Sequence, residues 1–275
     1  MPYAEVIGDP IAQSKSPRIH RFWLDALGLD GEYGRTPVTT ADLPAYIAER
    51  RDDPAWRGCN VTIPHKIAVM DLVDDPGGVR NSIGAMNTVL RQPDGPEGAG
   101  NRLIGTNTDA AGFAAPIADL DLAGQHATVV GAGGAARAVL WALARLGVER
   151  VTLMNRSPLK AAGLMSRFGL KGDVVPLDAP LAPTVALLVN ASPLGMSGQP
   201  PLVLDLSPLS EDAVVYDIVY APLETPVLAA ARARHLATVD GLEMLIGQAA
   251  LAFELFFGKP PPRDQDAALR EHLNA

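Results

Sequence analysis

Between Ala127 and Leu146 a short β-branched run, Thr128, Val129 and Val130, leads into Gly131, Gly133 and Ala136; Val139, Leu140, Leu143 and Leu146 then recur at helical spacing. This is the pattern of a strand, a tight glycine turn and a helix. The small residues match GxGxxG/A, in which each has its own reason to be small. Gly131 makes the turn, Gly133 lets the backbone close on a pyrophosphate, and Ala136 lets the helix pack on the strand. The helix amino end then offers unpaired N–H groups and a partial positive charge to phosphates. Alone the motif is weak, because glycine turns also serve purely as connections.

Its context sharpens it. The next apolar run, Val151 to Met154, ends at Asn155 and Arg156, where such a fold reads the adenosine ribose. A carboxylate there would accept from the 2′ hydroxyl of NAD and repel a 2′ phosphate. The residues present are Asn155, Arg156 and Ser157, with Lys160 one turn later, so cations and donors replace the acid and NADP is the expected cofactor. The alternative is a solvated basic loop.

The chain is long enough, at 275 residues with 48% hydrophobic, to fill the cores of two modest domains. A net charge of −8 argues against a general nucleic-acid binder, which needs a basic face. A lone cysteine, Cys59, excludes an internal disulfide and a multi-cysteine zinc site, and five scattered histidines give no ligand spacing, so no metal is expected. No segment resembles a signal peptide or a membrane span, which predicts a soluble cytoplasmic protein. A lack of sustained heptads leaves monomer and homodimer both open.

In chain order, residues 3–7 read as a strand and Gly8 to Pro17 as the loop after it. Ser16 before Pro17 reads as a helix cap, with Ile19, Phe22, Trp23 and Leu27 as the apolar face and Gly28 as the stop. Ser14 is a second hydroxyl beyond what capping requires, and two hydroxyls at a positive helix end suit a small carboxylate. Glu32–Val38 and Arg57–Ile63 read as strands around a helix over 41–51, giving a mostly parallel sheet. Alternation sets Val61 and Ile63 on one face and Asn60 and Thr62 on the other. Pro64 is expected to open a helix, which would put Lys66 in a first turn beyond a strand's carboxyl end, where open α/β sheets collect ligands. Gly84–Val89 and Leu103–Asp109 read as a hairpin around a slack loop, Gln92 to Asn101. Asp109 reads as the cap of a helix from Ala110, or as a carboxylate holding the Lys66 ammonium for proton exchange. Beyond the glycine turn, strands at 185–190 and 213–218 continue the alternation. Tyr220 follows the second, either as a packed aromatic or as a donor to a ligand.

The stretch Asp240–Phe257 is strongly helical. Leu242, Leu245, Ile246, Ala249, Ala250, Phe253, Phe256 and Phe257 form one apolar stripe, with Met244, Leu251 and Leu255 as a second beside it. Gln248 falls among them, and a buried amide needs a partner, either backbone or a ligand hydroxyl.

Together these segments resemble the shikimate dehydrogenase family. The resemblance rests on GlyAspProIleAlaGlnSerLysSerPro from Gly8, AsnValThrIleProHisLys from Asn60, GlyAlaMetAsnThrVal from Gly84 and GlyThrAsnThrAsp from Gly105. The glycine turn, AsnArgSer from Asn155 and AspGlyLeuGluMetLeuIleGlyGlnAlaAla from Asp240 follow in the family's order. It implies two α/β domains around a cleft: a substrate domain over 1–110, completed by 241–275, and a Rossmann-type NADP domain over 111–240. It further implies NADP-dependent interconversion of 3-dehydroshikimate and shikimate, a small-molecule substrate, in aromatic amino-acid biosynthesis. Ser14 and Ser16 would bind the substrate carboxylate with Tyr220 assisting. Thr62, Asn87, Asp109 and Gln248 would hold the ring hydroxyls, and Lys66 would be the acid/base with Asp109 as its partner. Gly131, Ala132, Gly133, Gly134, Ala135, Asn155, Arg156, Ser157, Lys160, Ile218 and Gly241 would contact NADP. Departures from the family pattern fall at Gln13, Arg21, Gly77, Gly78 and Lys160, the last replacing a frequent arginine and with it a bidentate fork. The rival readings are a quinate/shikimate or aminoshikimate dehydrogenase, a methylenetetrahydrofolate dehydrogenase, and a non-catalytic NADP sensor; retention of Lys66 with Asp109 disfavours the sensor.

Overall fold

The computed structural model describes residues 1–92 and 101–274, apart from the side chain of Lys160. The chain begins with β1 (Tyr3–Gly8), α1 (Ser16–Leu27), β2 (Glu32–Pro37), α2 (Leu43–Arg51), β3 (Trp56–Val61), α3 (Val79–Ser82), β4 (Thr88–Gln92) and β5 (Arg102–Thr106). It continues through α4 (Asp109–Ala114), β6 (His126–Val130), α5 (Gly134–Arg145), β7 (Arg150–Met154), α6 (Pro158–Arg167), β8 (Lys171–Val175), β9 (Val185–Asn190) and β10 (Val214–Asp217). It ends with α7 (Pro226–Ala233), β11 (Ala237–Val239), α8 (Gly241–Phe257) and α9 (Asp266–Asn274). Two compact units result, Met1–Thr108 with Gln248–Ala275, and Asp109–Gly247. The crossings fall at Thr108/Asp109 and inside α8, so residues 109–110 and 241–247 count with the second unit. Met244 packs into that unit's core, and a Cβ on Gly247 would lie 3.1 Å from the Cα of Gly112 in α4.

The first unit is built on a sheet of order β2-β1-β3-β4-β5, with β1 parallel to β2 and β3 and an antiparallel β3-β4-β5 edge. The expected hairpin is therefore present as β4 and β5; its slack loop, but for Gln92 and Asn101, lies outside the described residues. In α1, Ile19 and Trp23 are fully buried, and Gly28 closes the helix in the left-handed region at φ 57°. α9 buries Leu269 and Leu273 and ties back to the start of α1, where Lys15 Nζ donates to the Leu273 carbonyl at 2.8 Å.

The second unit carries the sheet β11-β10-β9-β6-β7-β8, parallel throughout, with the strand order reversing between β6 and β9. Consecutive residues feed opposite faces, as the pleat requires. Val129, Leu153, Leu187 and Tyr216 enter a core with Val139 and Leu143 of α5. Val130, Met154, Leu188 and Val215 enter another with Val227 and Leu228 of α7. A parallel sheet covered on both faces is the doubly wound arrangement, whose ligands gather at the carboxyl edge where the order reverses. Among the described residues no helix is long and apolar enough to cross a membrane.

Several local expectations are corrected. Ser16 is not the cap of α1 but its first residue: the cap position is Lys15, which makes no side-chain cap hydrogen bond, and the Ser16 N–H donates to Ser14 Oγ at 3.3 Å. Pro64 opens no helix. Residues 63–67 form turns and a short 3-10 helix starts at Ala68, because the Lys66 carbonyl is taken by the Met86 N–H at 2.7 Å. Lys66 thus stands in a turn, without the helix dipole set against it. Ile63 does not share Val61's face, since β3 stops at Val61 and Ile63 is exposed. In α8 the first stripe is buried except for half-buried Leu245 and Phe257, but Leu251 and Leu255 of the second are exposed. Strands β8 and β11 were not foreseen.

Candidate active site

In the first unit, β4, β5 and α8 bring two expected amides together. Asn87 precedes β4 by one residue, Gln248 lies in α8, and both are buried. Asn87 Nδ2 donates to Gln248 Oε1 at 3.3 Å and to Thr108 Oγ1 at 2.9 Å, while Asn87 Oδ1 accepts from the Thr108 backbone N–H at 2.7 Å. The amide in the apolar helix thus has side-chain partners in Asn87 and Thr108. Behind this pair, Thr88 Oγ1 donates to Asn87 Oδ1 at 3.1 Å, Asn60 Nδ2 to Thr88 Oγ1 at 3.2 Å, and Tyr33 OH to Asn60 Oδ1 at 2.6 Å. Tyr33 is fully buried, and burial raises its hydroxyl pKa well above the ordinary value, keeping it a donor. Tyr33, Asn60, Thr88 and Thr108 were not foreseen as partners; the available signal was polar residues inside otherwise apolar strand ends.

Lys66 sits beside this cluster through its backbone. Its carbonyl holds Met86, while the Val61 N–H donates to the Asn87 carbonyl at 2.7 Å, so the turn carrying Lys66 and the residue before β4 are fixed to each other. Thr62 is half-buried at the same end of β3, its N–H donating to the Ile7 carbonyl at 2.9 Å. Ser14 and Ser16 are both buried and adjacent at the start of α1. Asp109 is buried as the first residue of α4, in the second unit, not a cap ahead of it.

The glycine turn lies at the carboxyl end of β6. Gly131 has φ 109°, and a Cβ there would lie 2.8 Å from the Ala191 carbonyl oxygen, so only glycine fits. Gly133 precedes α5, and a Cβ there would meet no protein atom within 4 Å. The first turn of α5, which holds Gly134 and Ala135, contains no acidic residue, and Ala136 is fully buried. A helix amino end with open space before it and no competing carboxylate fits a pyrophosphate. Ala132 and Ala135 are half-buried in the same turn. At the end of β7, Asn155 Nδ2 donates to the Ser157 carbonyl at 3.0 Å, Arg156 is exposed, and no carboxylate intervenes before α6. That set fits a 2′ phosphate. The Lys160 side chain lies outside the described residues.

Strands β9 and β10 end in a buried pair, Asn190 and Asp217. Asp217 Oδ2 accepts from Thr225 Oγ1 at 2.6 Å, and its Oδ1 accepts from Asn190 Nδ2 at 2.9 Å and Val219 N–H at 3.0 Å. Asn190 Oδ1 in turn accepts from Ser192 Oγ at 2.7 Å. This ties together the loops after β9 and β10, the second carrying Ile218 and half-buried Tyr220. Burial pushes the Asp217 carboxyl up to about 6, against its three donors, which pull it down. Gly241 packs against the same loop: a Cβ on it would lie 2.5 Å from the carbonyl oxygens of Ile218 and Val219.

Family models match in three stretches: the shikimate dehydrogenase substrate binding domain over residues 6–89, shikimate / quinate 5-dehydrogenase over 113–182, and the shikimate 5'-dehydrogenase C-terminal domain over 241–268. A curated relative from Sphingopyxis alaskensis, shikimate dehydrogenase (NADP(+)), is 70% identical over 274 residues, covering 100% of this chain and 97% of its own. The chain belongs to the shikimate dehydrogenase family. Among solved structures, shikimate 5-dehydrogenase from Thermus thermophilus in complex with NADP(H) and shikimate is 39% identical with a TM-score of 0.83, covering 99% of this chain and 100% of that one. Quinate dehydrogenase from Corynebacterium glutamicum in complex with NAD is 31% identical with a TM-score of 0.84, covering 99% of this chain and 98% of that one.

Proposed function

We propose that this shikimate dehydrogenase family member interconverts 3-dehydroshikimate and shikimate with NADP as the redox partner. The observation that carries the reading is the 70% identity, across the whole chain, to a curated NADP-dependent shikimate dehydrogenase. Two site features support it: a buried amide pair able to hold ring hydroxyls, and a strand end with Arg156 and no acid where the 2′ phosphate would lie. NADPH, when bound, supplies the hydride that goes to C3 of the ketone. Lys66 gives its proton to the oxygen that becomes the C3 hydroxyl, leaving a neutral amine; in the oxidative direction it takes that proton back. Asp109 is its carboxylate partner. Ser14 and Ser16, with Tyr220, hold the substrate carboxylate, while Thr62, Asn87 and Gln248 hold hydroxyls and so fix which carbon faces the hydride. Gly131 to Ala135 hold the pyrophosphate, and Asn155, Arg156, Ser157 and Lys160 the 2′ phosphate, with Ile218 and Gly241 lining the rest of the cofactor site.

The test is formation of reduced nicotinamide from four pairs: shikimate or quinate, each with NADP or NAD. The expected result is turnover with shikimate and NADP at least tenfold more efficient than with any other pair. Equal use of quinate and NAD would move the chain to the quinate side of the family, and binding of NADP with no turnover would make it a sensor.

A further inference from the structure

The hydrogen bonds around Asn87 and Gln248 have a direction, and a backbone group sets it. The Thr108 N–H is a donor under any assignment, so the Asn87 atom 2.7 Å from it is the oxygen. Turning the Asn87 amide over would place N–H against N–H. The Asn87 nitrogen therefore faces Thr108 Oγ1 and Gln248. The Gln248 atom facing it is in turn the oxygen, which also accepts from Thr108 Oγ1 at 3.4 Å. Upstream the direction is the same. Tyr33 donates to Asn60, whose nitrogen donates to Thr88 and to the Asn87 carbonyl, and Thr88 donates to Asn87. All six residues are buried, so a reversed member would leave a donor facing a donor without water to relieve it.

We propose that Thr108 is a positioning residue for substrate recognition: its N–H and hydroxyl lock the amides of Asn87 and Gln248 so that Gln248 turns its N–H donors, not its oxygen, toward a substrate oxygen. The inference rests on the reading that Gln248 contacts the substrate. Thr108 itself touches none of the reacting atoms; it acts through the two amides.

The experiment measures KM for shikimate, KM for NADP and kcat in Thr108→Val, Thr108→Ser, Gln248→Ala, Gln248→Glu and the double variant Thr108→Val/Gln248→Ala. Thr108→Val is expected to raise the shikimate KM about tenfold with the NADP KM within twofold of wild type, and Thr108→Ser to restore it to within about threefold. The double variant is expected to fall well short of the sum of the two single losses, because only Asn87 is left for the hydroxyl to orient. Gln248→Glu keeps an acceptor toward Thr108 and loses the donors, so it should lose shikimate at least as far as Gln248→Ala. An unchanged shikimate KM in folded Thr108→Val, full additivity in the double variant, or wild-type affinity in Gln248→Glu would overturn the proposal. If Gln248→Ala itself leaves the shikimate KM unchanged, the substrate reading of Gln248 fails instead. Should Thr108→Val not fold, Thr108→Ala removes the same hydroxyl and carries the same expectation.

Discussion

His20 and Asp217 are both fully buried, and they oppose each other in the pH dependence of stability. His20 stacks on Tyr33 with centroids 3.8 Å apart, and neither ring nitrogen has a hydrogen-bond partner. Burial lowers its pKa from 6.5 to about 3. The unfolded chain takes up a proton that the native state refuses, so this contribution is whole above pH 6.5 and falls as the pH drops toward 3, by up to about 1.4 kcal/mol per pH unit. Asp217 moves the other way, from 3.8 to about 6. Its native state keeps a proton longer than the unfolded chain, so its contribution is whole below pH 3.8 and declines as the pH rises to 6. The two residues belong to different units. Between about pH 6 and 4, hydrogen-exchange protection should fall in β1–β3 and rise in β9–β10, and His20→Phe should abolish the first trend. Parallel changes in both units, or the same trend in His20→Phe, would refute this. None of it was legible in the sequence, where His20 is one polar position on an apolar helix face. The buried partners of Asn87 were hidden similarly, because Asn60, Thr88 and Thr108 meet only once β3, β4 and β5 are in register.

Among elements, legibility followed burial. The helices with one continuous apolar face, α1 and α8, were readable, as were the central strands β6, β7, β9 and β10, whose apolar runs are buried on both faces. β8 and β11 were not: they are the outer strands of their sheet and hold no fully buried residue, β11 is only three residues long, and β8 carries exposed Lys171, Gly172 and Asp173 in place of an apolar run. The exposed Leu251 and Leu255 show the converse limit, since periodicity assigns a stripe to a helix without saying what covers it. The turn at Gly131, as a backbone feature between β6 and α5, was read correctly for a reason that can be tested. With φ 109° and the Ala191 carbonyl 2.8 Å from the missing Cβ, Gly131→Ala must push the end of β6 away from the loop after β9. We expect a loss on the order of 1–3 kcal/mol in the stability of the second unit and at least a tenfold rise in the NADP dissociation constant, by urea titration and calorimetry. Wild-type NADP affinity in this variant would mean the turn does not shape the cofactor site.

At the scale of the molecule, the residues expected to meet the substrate and those expected to meet the cofactor are sorted between the two units. Ser14, Ser16, Thr62, Lys66, Asn87 and Gln248 belong to the first; Gly131 to Ala135, Asn155 to Ser157, Ile218 and Gly241 belong to the second, with Asp109 and Tyr220. The order of the motifs sorts the expected contacts in the same way apart from Asp109 and Gly241, which the sequence placed with the first domain, and the crossing inside α8 was not legible, since the apolar pattern of the helix runs unbroken through it. In the proposed reaction Lys66 performs the proton transfer that accompanies hydride transfer at C3, so the decisive experiment is turnover of shikimate with NADP by wild type and by Lys66→Ala, with shikimate and NADP binding measured alongside. Wild type is expected to turn over efficiently and Lys66→Ala to show a kcat reduced by about 10²–10⁴ with the NADP dissociation constant unchanged. A Lys66→Ala enzyme with wild-type kcat would remove the lysine from the mechanism.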